Sequence, residues 1–195
     1  CTTSGRHLLD QLAVPPVLYE HRSTEAEPLL LGYECHAVLR GRLGHYDFYG
    51  YLEDDLILLD PAFFAKLAWF QRLAGESCVL QPNRFEFSYT QEQVKKVYID
   101  FELAAEGATS SAAPSLEGEV LGEKITLSPA SNPHAGCFFL TGSQLARWSS
   151  QPYFLDRSAD FVGPLESAAS LGVARTFRVY KPAPQNASFL EIQHY

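Results

Sequence analysis

Methionine is absent from this 195-residue chain, and cysteine occurs only four times. Cys1, Cys35, Cys78 and Cys137 lie far apart, with no CxxC pair among them. Three sit in apolar runs ("YECHAV", "ESCVLQP", "AGCFFLT"), where reduced, buried cysteines are common, so the expected compartment is a reducing one, the cytoplasm. No signal peptide is visible, which leaves the sequon Asn186-Ala187-Ser188 without consequence. Apolar runs approaching the ~20 residues of a membrane helix are missing, excluding an integral membrane segment. Positive charge is scarce too: 15 Lys and Arg against 23 Asp and Glu give a net charge of −8 with no basic stripe. That balance excludes nucleic acid and anionic membranes as partners, but not a small anion held by a local positive site or a metal. The missing initiator residue, and a "CTTSG" start that reads as the tail of a strand and a turn, predict that the fold begins before residue 1.

What the chain does have is a large apolar complement. Hydrophobic residues make up 46% and aromatics 13%, while charged residues are held to 19%, so one domain with a sizeable core is expected and disorder is not. Residues 6–13 read as a short helix ended by Pro15-Pro16, and "VLYEHRS" as a strand. Pro28 opens a helical pattern that stops at Gly44. "YDFYGYL" is a strand. "DPAFFAKLAWFQRLAG" is a helix with Asp60 as N-cap, Pro61 in the first turn and Gly75 past its end; Phe63, Phe64 and Trp69 are its core side chains. "SCVLQP" is again a strand. The small, polar stretch 104–116 predicts a flexible surface loop, and "EVLGEKITL" a hairpin around Gly122-Glu123. A strand over 136–141, helices over 142–150 and 164–172, and strands over 175–181 and 188–194 complete the reading. Strand and helix in alternation predict an α/β fold with a mainly parallel sheet.

One stretch interrupts this rhythm chemically. In "YGYLEDDLILLD" three adjacent carboxylates, Glu53, Asp54 and Asp55, follow an apolar run that resumes at once. Like charges repel, and an unpaired carboxylate is costly to bury, so the pattern points to something positive at that place. Two readings stand. Asp54 and Asp55 cap a turn with Glu53 paired to a lysine, or the triplet meets a hard divalent cation at the carboxyl end of a strand, where open α/β sheets bind ligands.

The stretch "YLEDDLILLDPAFFAKLAWF" resembles the acidic-motif strand and following helix of nucleotide-sugar glycosyltransferases with the GT-A fold. The nearest likeness is to the inverting N-acetylglucosaminyltransferases, in which an EDD serves as the DxD motif. "SCVLQPNRFE", "NPHAGCFFLTGSQLARW" and "FVGPLESAA" follow in a similar order, so the resemblance covers about residues 46–190. It implies a GT-A-like sheet flanked by helices and a metal-dependent transfer of sugar from a nucleotide-sugar donor to an acceptor hydroxyl. Only 52 residues precede the motif, so it also implies an abbreviated N-terminal half, or one begun before Cys1.

The resemblance implies that Asp55 ligates Mn²⁺ or Mg²⁺ and that Glu53 and Asp54 hydrogen-bond the donor sugar and ribose. His194, in the terminal "EIQHY", is the candidate second ligand, imidazole being suited to manganese; it is equally read as an exposed terminal histidine. Glu166 in "GPLESAA" is the candidate general base, or else a carboxylate favoured by the helix dipole in a first turn. His134 in "NPHAG" contacts donor or acceptor, or is a satisfied loop histidine. Lys181 and Arg178 offer charge to a diphosphate, or are ordinary surface residues, while Asn83 and Arg84 follow a strand end and line the pocket. Two other function classes compete with the enzyme: a catalytically inactive GT-A-like domain that binds a sugar or a partner, and a carboxylate-metal phosphohydrolase or nuclease.

Overall fold

A computed structural model of the chain describes residues 1–5, 7, 9, 15, 19–90, 92–100 and 113–195. Most of the helix expected over 6–13 and most of the loop expected over 104–116 lie outside the described residues. Among the described residues, no helix is long and apolar enough to cross a membrane.

The fold is mixed α/β, with four small sheets among the described residues. Strands β1 (Thr2–Thr3) and β2 (Ser23–Thr24) pair in parallel. A 3₁₀ turn at Pro28–Leu30 leads into α1 (Leu31–Gly41), which is followed by β3 (Phe48–Leu52). Then come β4 (Leu56–Ile57), α2 (Phe63–Ala74), β5 (Cys78–Leu80), β6 (Asn83–Tyr89) and β7 (Val94–Tyr98). The second half runs β8 (Leu116–Val120), β9 (Glu123–Pro129), β10 (Cys137–Thr141), α3 (Gly142–Ser149), α4 (Pro164–Thr176), β11 (Arg178–Pro182) and β12 (Glu191–His194).

Sheet pairing differs from the mainly parallel expectation. β3 pairs antiparallel with β10, and the two larger sheets run in the orders β5-β11-β9-β8 and β4-β12-β6-β7. Only β1–β2, β5–β11 and β6–β12 are parallel pairs among the described residues. The reason is that alternation of element types does not decide which strands become neighbours. β3 and β5, separated by α2, enter different sheets. The hairpins β6–β7 and β8–β9 are antiparallel because their connections are short. The first of these hairpins arises in a stretch to which the sequence reading assigns no element.

Local chemistry explains most of the elements. The β8–β9 turn places Leu121 and Gly122 at φ 52° and 82°, the left-handed pair a tight two-residue hairpin requires. In α2, Phe63, Leu67 and Phe70 recur at helical spacing and are buried, whereas Phe64, expected in the core, is 44% exposed. Asp60 Oδ1 accepts from Ala62 N at 2.8 Å one turn ahead of the helix, which begins later than the sequence implies. α3 opens on a capping box, Thr141 and Gln144 satisfying each other's backbone N–H groups.

One apolar cluster, including Tyr49, Tyr51, Phe138, Trp148 and Val173, joins the β3–β10 ribbon to α3 and α4. A second, including Phe63, Phe70, Leu80, Leu127 and Tyr180, packs α2 on the β5-β11-β9-β8 sheet. A small third one, Leu56, Ala135, Cys137 and Ile192, underlies the acidic turn after β3.

Candidate functional site

The acidic triplet occupies the turn between β3 and β4. Glu53 N donates to Gly136 O at 3.0 Å, tying the end of β3 to the segment entering β10. β4 then pairs antiparallel with β12, and this register sets His194 opposite Leu56, one residue after the triplet. Tyr195 N closes the arrangement by donating to Asp55 O at 3.1 Å. As a result His194 Nε2 lies 3.4 Å from Asp55 Oδ2.

β12 also runs parallel to β6, with Gln193 opposite Phe85, so Glu86 stands beside His194. His194 Nδ1 donates to Glu86 Oε1 at 2.7 Å. In a neutral imidazole, that donation leaves the Nε2 lone pair on the Asp55 side, where two electron-pair donors meet. The histidine is partly buried, its side chain 22% exposed, while Asp55 and Glu86 are 46% and 43% exposed. Sequence reasoning missed Glu86; the alternation in "RFEFSY", with Arg84 and Glu86 on one face of a strand, was the available signal.

One carboxylate and one imidazole are donors that a divalent cation could share. Two ligands at ~2.1 Å from one octahedral ion stand about 3 Å apart, near the observed separation, and Mg²⁺-like ions commonly take one or two protein groups plus phosphate oxygens. A carboxylate holding the far nitrogen of a ligating histidine is the usual outer-shell arrangement. Among the described residues, no group of three or more His, Cys, Asp or Glu side chains is disposed to hold a metal. Asp55 and His194 are a facing pair that could hold an ion only with further ligands from elsewhere.

Glu53 turns inward. Gly136, at φ 63°, leaves the space it occupies: a Cβ there would sit 2.7 Å from Glu53 Oε2. Its Oε1 is buried without a partner among the described residues. Burial, and then the neighbouring Asp55 carboxylate, push the Glu53 pKa up to about 7, with Arg84 pulling the other way. The same electrostatic neighbourhood includes Glu166, in the first turn of α4, whose charge also disfavours ionised Glu53. Asp54 points elsewhere, lining a cavity of about 600 Å³ together with Thr2, Thr3, Tyr19, His21 and Leu31.

Lys181, offered as a surface or diphosphate-facing charge, and Arg84, expected to line the pocket after a strand end, are both internal. Lys181 and Arg84 are each only 7% exposed, and both bind Asp100, which sequence reasoning also missed. Lys181 Nζ donates to Asp100 Oδ2 at 2.8 Å, and Arg84 Nε to Asp100 Oδ1 at 3.0 Å. Burial works to raise the Asp100 pKa, but the two cations outweigh it and hold the carboxyl below its ordinary value. Lys181 Nζ also donates to His134 O at 2.6 Å, fixing the loop that delivers Gly136 to Glu53. His134 itself is buried with Nδ1 3.0 Å from Ser170 Oγ, and burial, followed by the Arg84 and Lys181 charges, pushes its pKa down to about 3. That is the satisfied loop histidine, electrically neutral. Asn83 opens β6 rather than a loop and is fully buried, with Nδ2 donating to Pro182 O and Ala187 O.

No protein family profile, curated protein or solved structure matches this chain.

Proposed function

We propose that the chain is a metal-dependent glycosyltransferase of the GT-A kind, moving a sugar from a nucleotide-sugar donor to an acceptor hydroxyl with inversion. The observation that carries this reading is the alignment Glu86–His194–Asp55, in which a residue from the end of the chain returns to the acidic triplet with its far nitrogen already held by a carboxylate. Asp55 and His194 would hold Mn²⁺ or Mg²⁺. When bound, such an ion neutralises the charge that gathers on the departing diphosphate.

The chain's own groups take the remaining parts. The cavity beside Asp54 is within the 300–1,000 Å³ usual for small-molecule sites and would receive the donor's nucleoside, with Asp54 on the ribose. Glu53, half-buried against Gly136, would orient the donor sugar by hydrogen bonding. Glu166 would take the acceptor hydroxyl's proton during in-line attack, its carboxylate delivered by the turn at Gly163-Pro164. Arg84, although paired with Asp100, still favours the ionised form of Glu53.

Calorimetry with MnCl₂ tests the metal site. Asp55→Asn keeps the shape and removes the charge, so manganese affinity should be largely lost in a folded protein, and His194→Ala should weaken it less. Equal manganese binding by the parent chain and Asp55→Asn would refute the reading. If manganese binds but no nucleotide sugar is hydrolysed or transferred, the inactive binding domain takes its place.

A further inference from the structure

A small cavity of about 10 Å³ lies where α1, α3 and α4 converge, lined in part by His36, Trp148, Ser158 and Gly172, with the exposed Asp156 and Arg175 on its outer side. It shares no lining residue with the cavity at Asp54. We propose that it is the binding site of one structural water molecule, which accepts from Trp148 Nε1 and donates to His36 Nδ1.

Side-chain atoms of three lining residues, His36 Nδ1, Trp148 Nε1 and Ser158 Oγ, are buried and have no hydrogen-bond partner among the described residues. Orphaned groups of this kind are rare in folded proteins, because each has given up solvent without replacement. That three of them belong to the lining of one small cavity is the observation that carries the assignment. Neighbouring contacts hold them in place. The His36 and Trp148 rings meet edge-on with centroids 4.9 Å apart. Tyr33 OH donates to Ser158 O at 2.7 Å and fixes the loop that bears Ser158. Gly172 leaves the indole N–H uncovered: a Cβ there would stand 2.6 Å from Trp148 Nε1.

Hydrogen-bonding chemistry narrows the ligand. His36 Nε2 donates to Ala168 O, so in the neutral ring Nδ1 carries a lone pair and can only accept. The indole N–H can only donate. A molecule that serves both must accept and donate through a single small centre. A halide cannot donate to Nδ1, and an ammonium ion cannot accept from the indole. Water does both. The Ser158 hydroxyl, either donor or acceptor, gives it a third partner, the usual number for a buried water. Size agrees, since about 10–15 Å³ of such space holds one water and no organic ligand. Bound there, the water ties α1 to α3 and to the loop between α3 and α4.

The test uses the intact chain, labelled with nitrogen-15, at pH 7, where His36 is neutral. The chain has two tryptophans, and Trp69→Phe identifies which indole signal belongs to Trp148. The Trp148 indole proton should give a cross-peak to water whose sign in the rotating frame marks proximity and not chemical exchange, and whose sign in the laboratory frame marks a long-lived bound molecule. In Ser158→Ala the cross-peak should persist, because two partners remain. A crystal structure with ordered solvent should place one oxygen within about 3.2 Å of both Trp148 Nε1 and His36 Nδ1. A missing cross-peak overturns the proposal. So does its loss in Ser158→Ala, which would show magnetisation relayed through the serine hydroxyl, and so does a crystal structure in which the indole N–H donates directly to a protein acceptor.

Discussion

At the scale of the residue, the site turns on how each carboxylate is partnered. Glu86 touches only His194 among the proposed ligands, and its part is to orient the ring. Glu86→Gln should therefore lower manganese affinity by roughly ten- to a hundredfold without unfolding the protein, as loss of an outer-shell carboxylate usually does. Calorimetry reads this directly, and an unchanged affinity would mean that the imidazole is positioned by its strand alone. Glu166 makes a different prediction. If it accepts the hydroxyl proton, Glu166→Gln should bind manganese and donor normally while transfer falls by roughly a hundredfold to ten-thousandfold, with the acid limb of the pH profile lost. If the carboxylate serves only the first turn of α4, turnover stays the same and stability drops by a fraction of a kcal/mol.

At the scale of the element, close approach between helices is set by glycine. A Cβ on Gly172 of α4 would stand 2.5 Å from Trp148 Cζ2 and 2.6 Å from Trp148 Nε1. Trp148 is 1% exposed and packed edge-on against Phe138 and Phe154, so it has no room to retreat. Overpacking of this kind costs about 1–3 kcal/mol, against a helix-propensity gain of about 1 kcal/mol for Gly→Ala. Gly172→Ala should be net destabilising in urea titration. Gly41→Ala, where the new methyl meets nothing within 4 Å at the end of α1, should be neutral or stabilising by a few tenths of a kcal/mol. Equal effects at the two positions would contradict the packing described here.

At the scale of the whole molecule, two buried neutral histidines make stability depend on pH. His36, 3% exposed amid Tyr33, Tyr51, Phe138, Trp148 and Phe154, donates from Nε2 to Ala168 O, linking α1 to α4. Burial pushes its pKa from 6.5 down to about 4. The folded state thus binds fewer protons than the unfolded one, and stability is full above pH 6.5 and falls as pH drops towards about 4. The depression corresponds to on the order of 3 kcal/mol from this group. His134 adds to the loss from the same starting point and extends it to lower pH, its folded pKa being about 3. In His36→Leu the urea midpoint should vary less between pH 6.5 and pH 4 than in the parent chain; an unchanged slope would remove His36 as a cause.

By itself the sequence determined the local elements, since their causes are local. Pro164 and Glu166 at the start of α4, the spacing of Phe63, Leu67 and Phe70, and Gly122 in the β8–β9 turn each act through neighbours a few residues away. The acidic triplet at the end of β3 was legible for the same reason: three adjacent carboxylates after an apolar strand are unusual wherever they occur. Tertiary structure alone decided the partners. β3 finds β10 and β5 finds β11 because whole faces must be buried together, which no short window of sequence reports. Lys181 and Arg84 read as surface or pocket charges until Asp100, remote in the chain from Lys181, is packed between them. His194 reaches Asp55, and Glu86 reaches His194, only through the registers of β12 with β4 and β6. Those registers follow from long-range burial of the strands, and so the candidate site existed in the sequence as residues and only in the fold as a site.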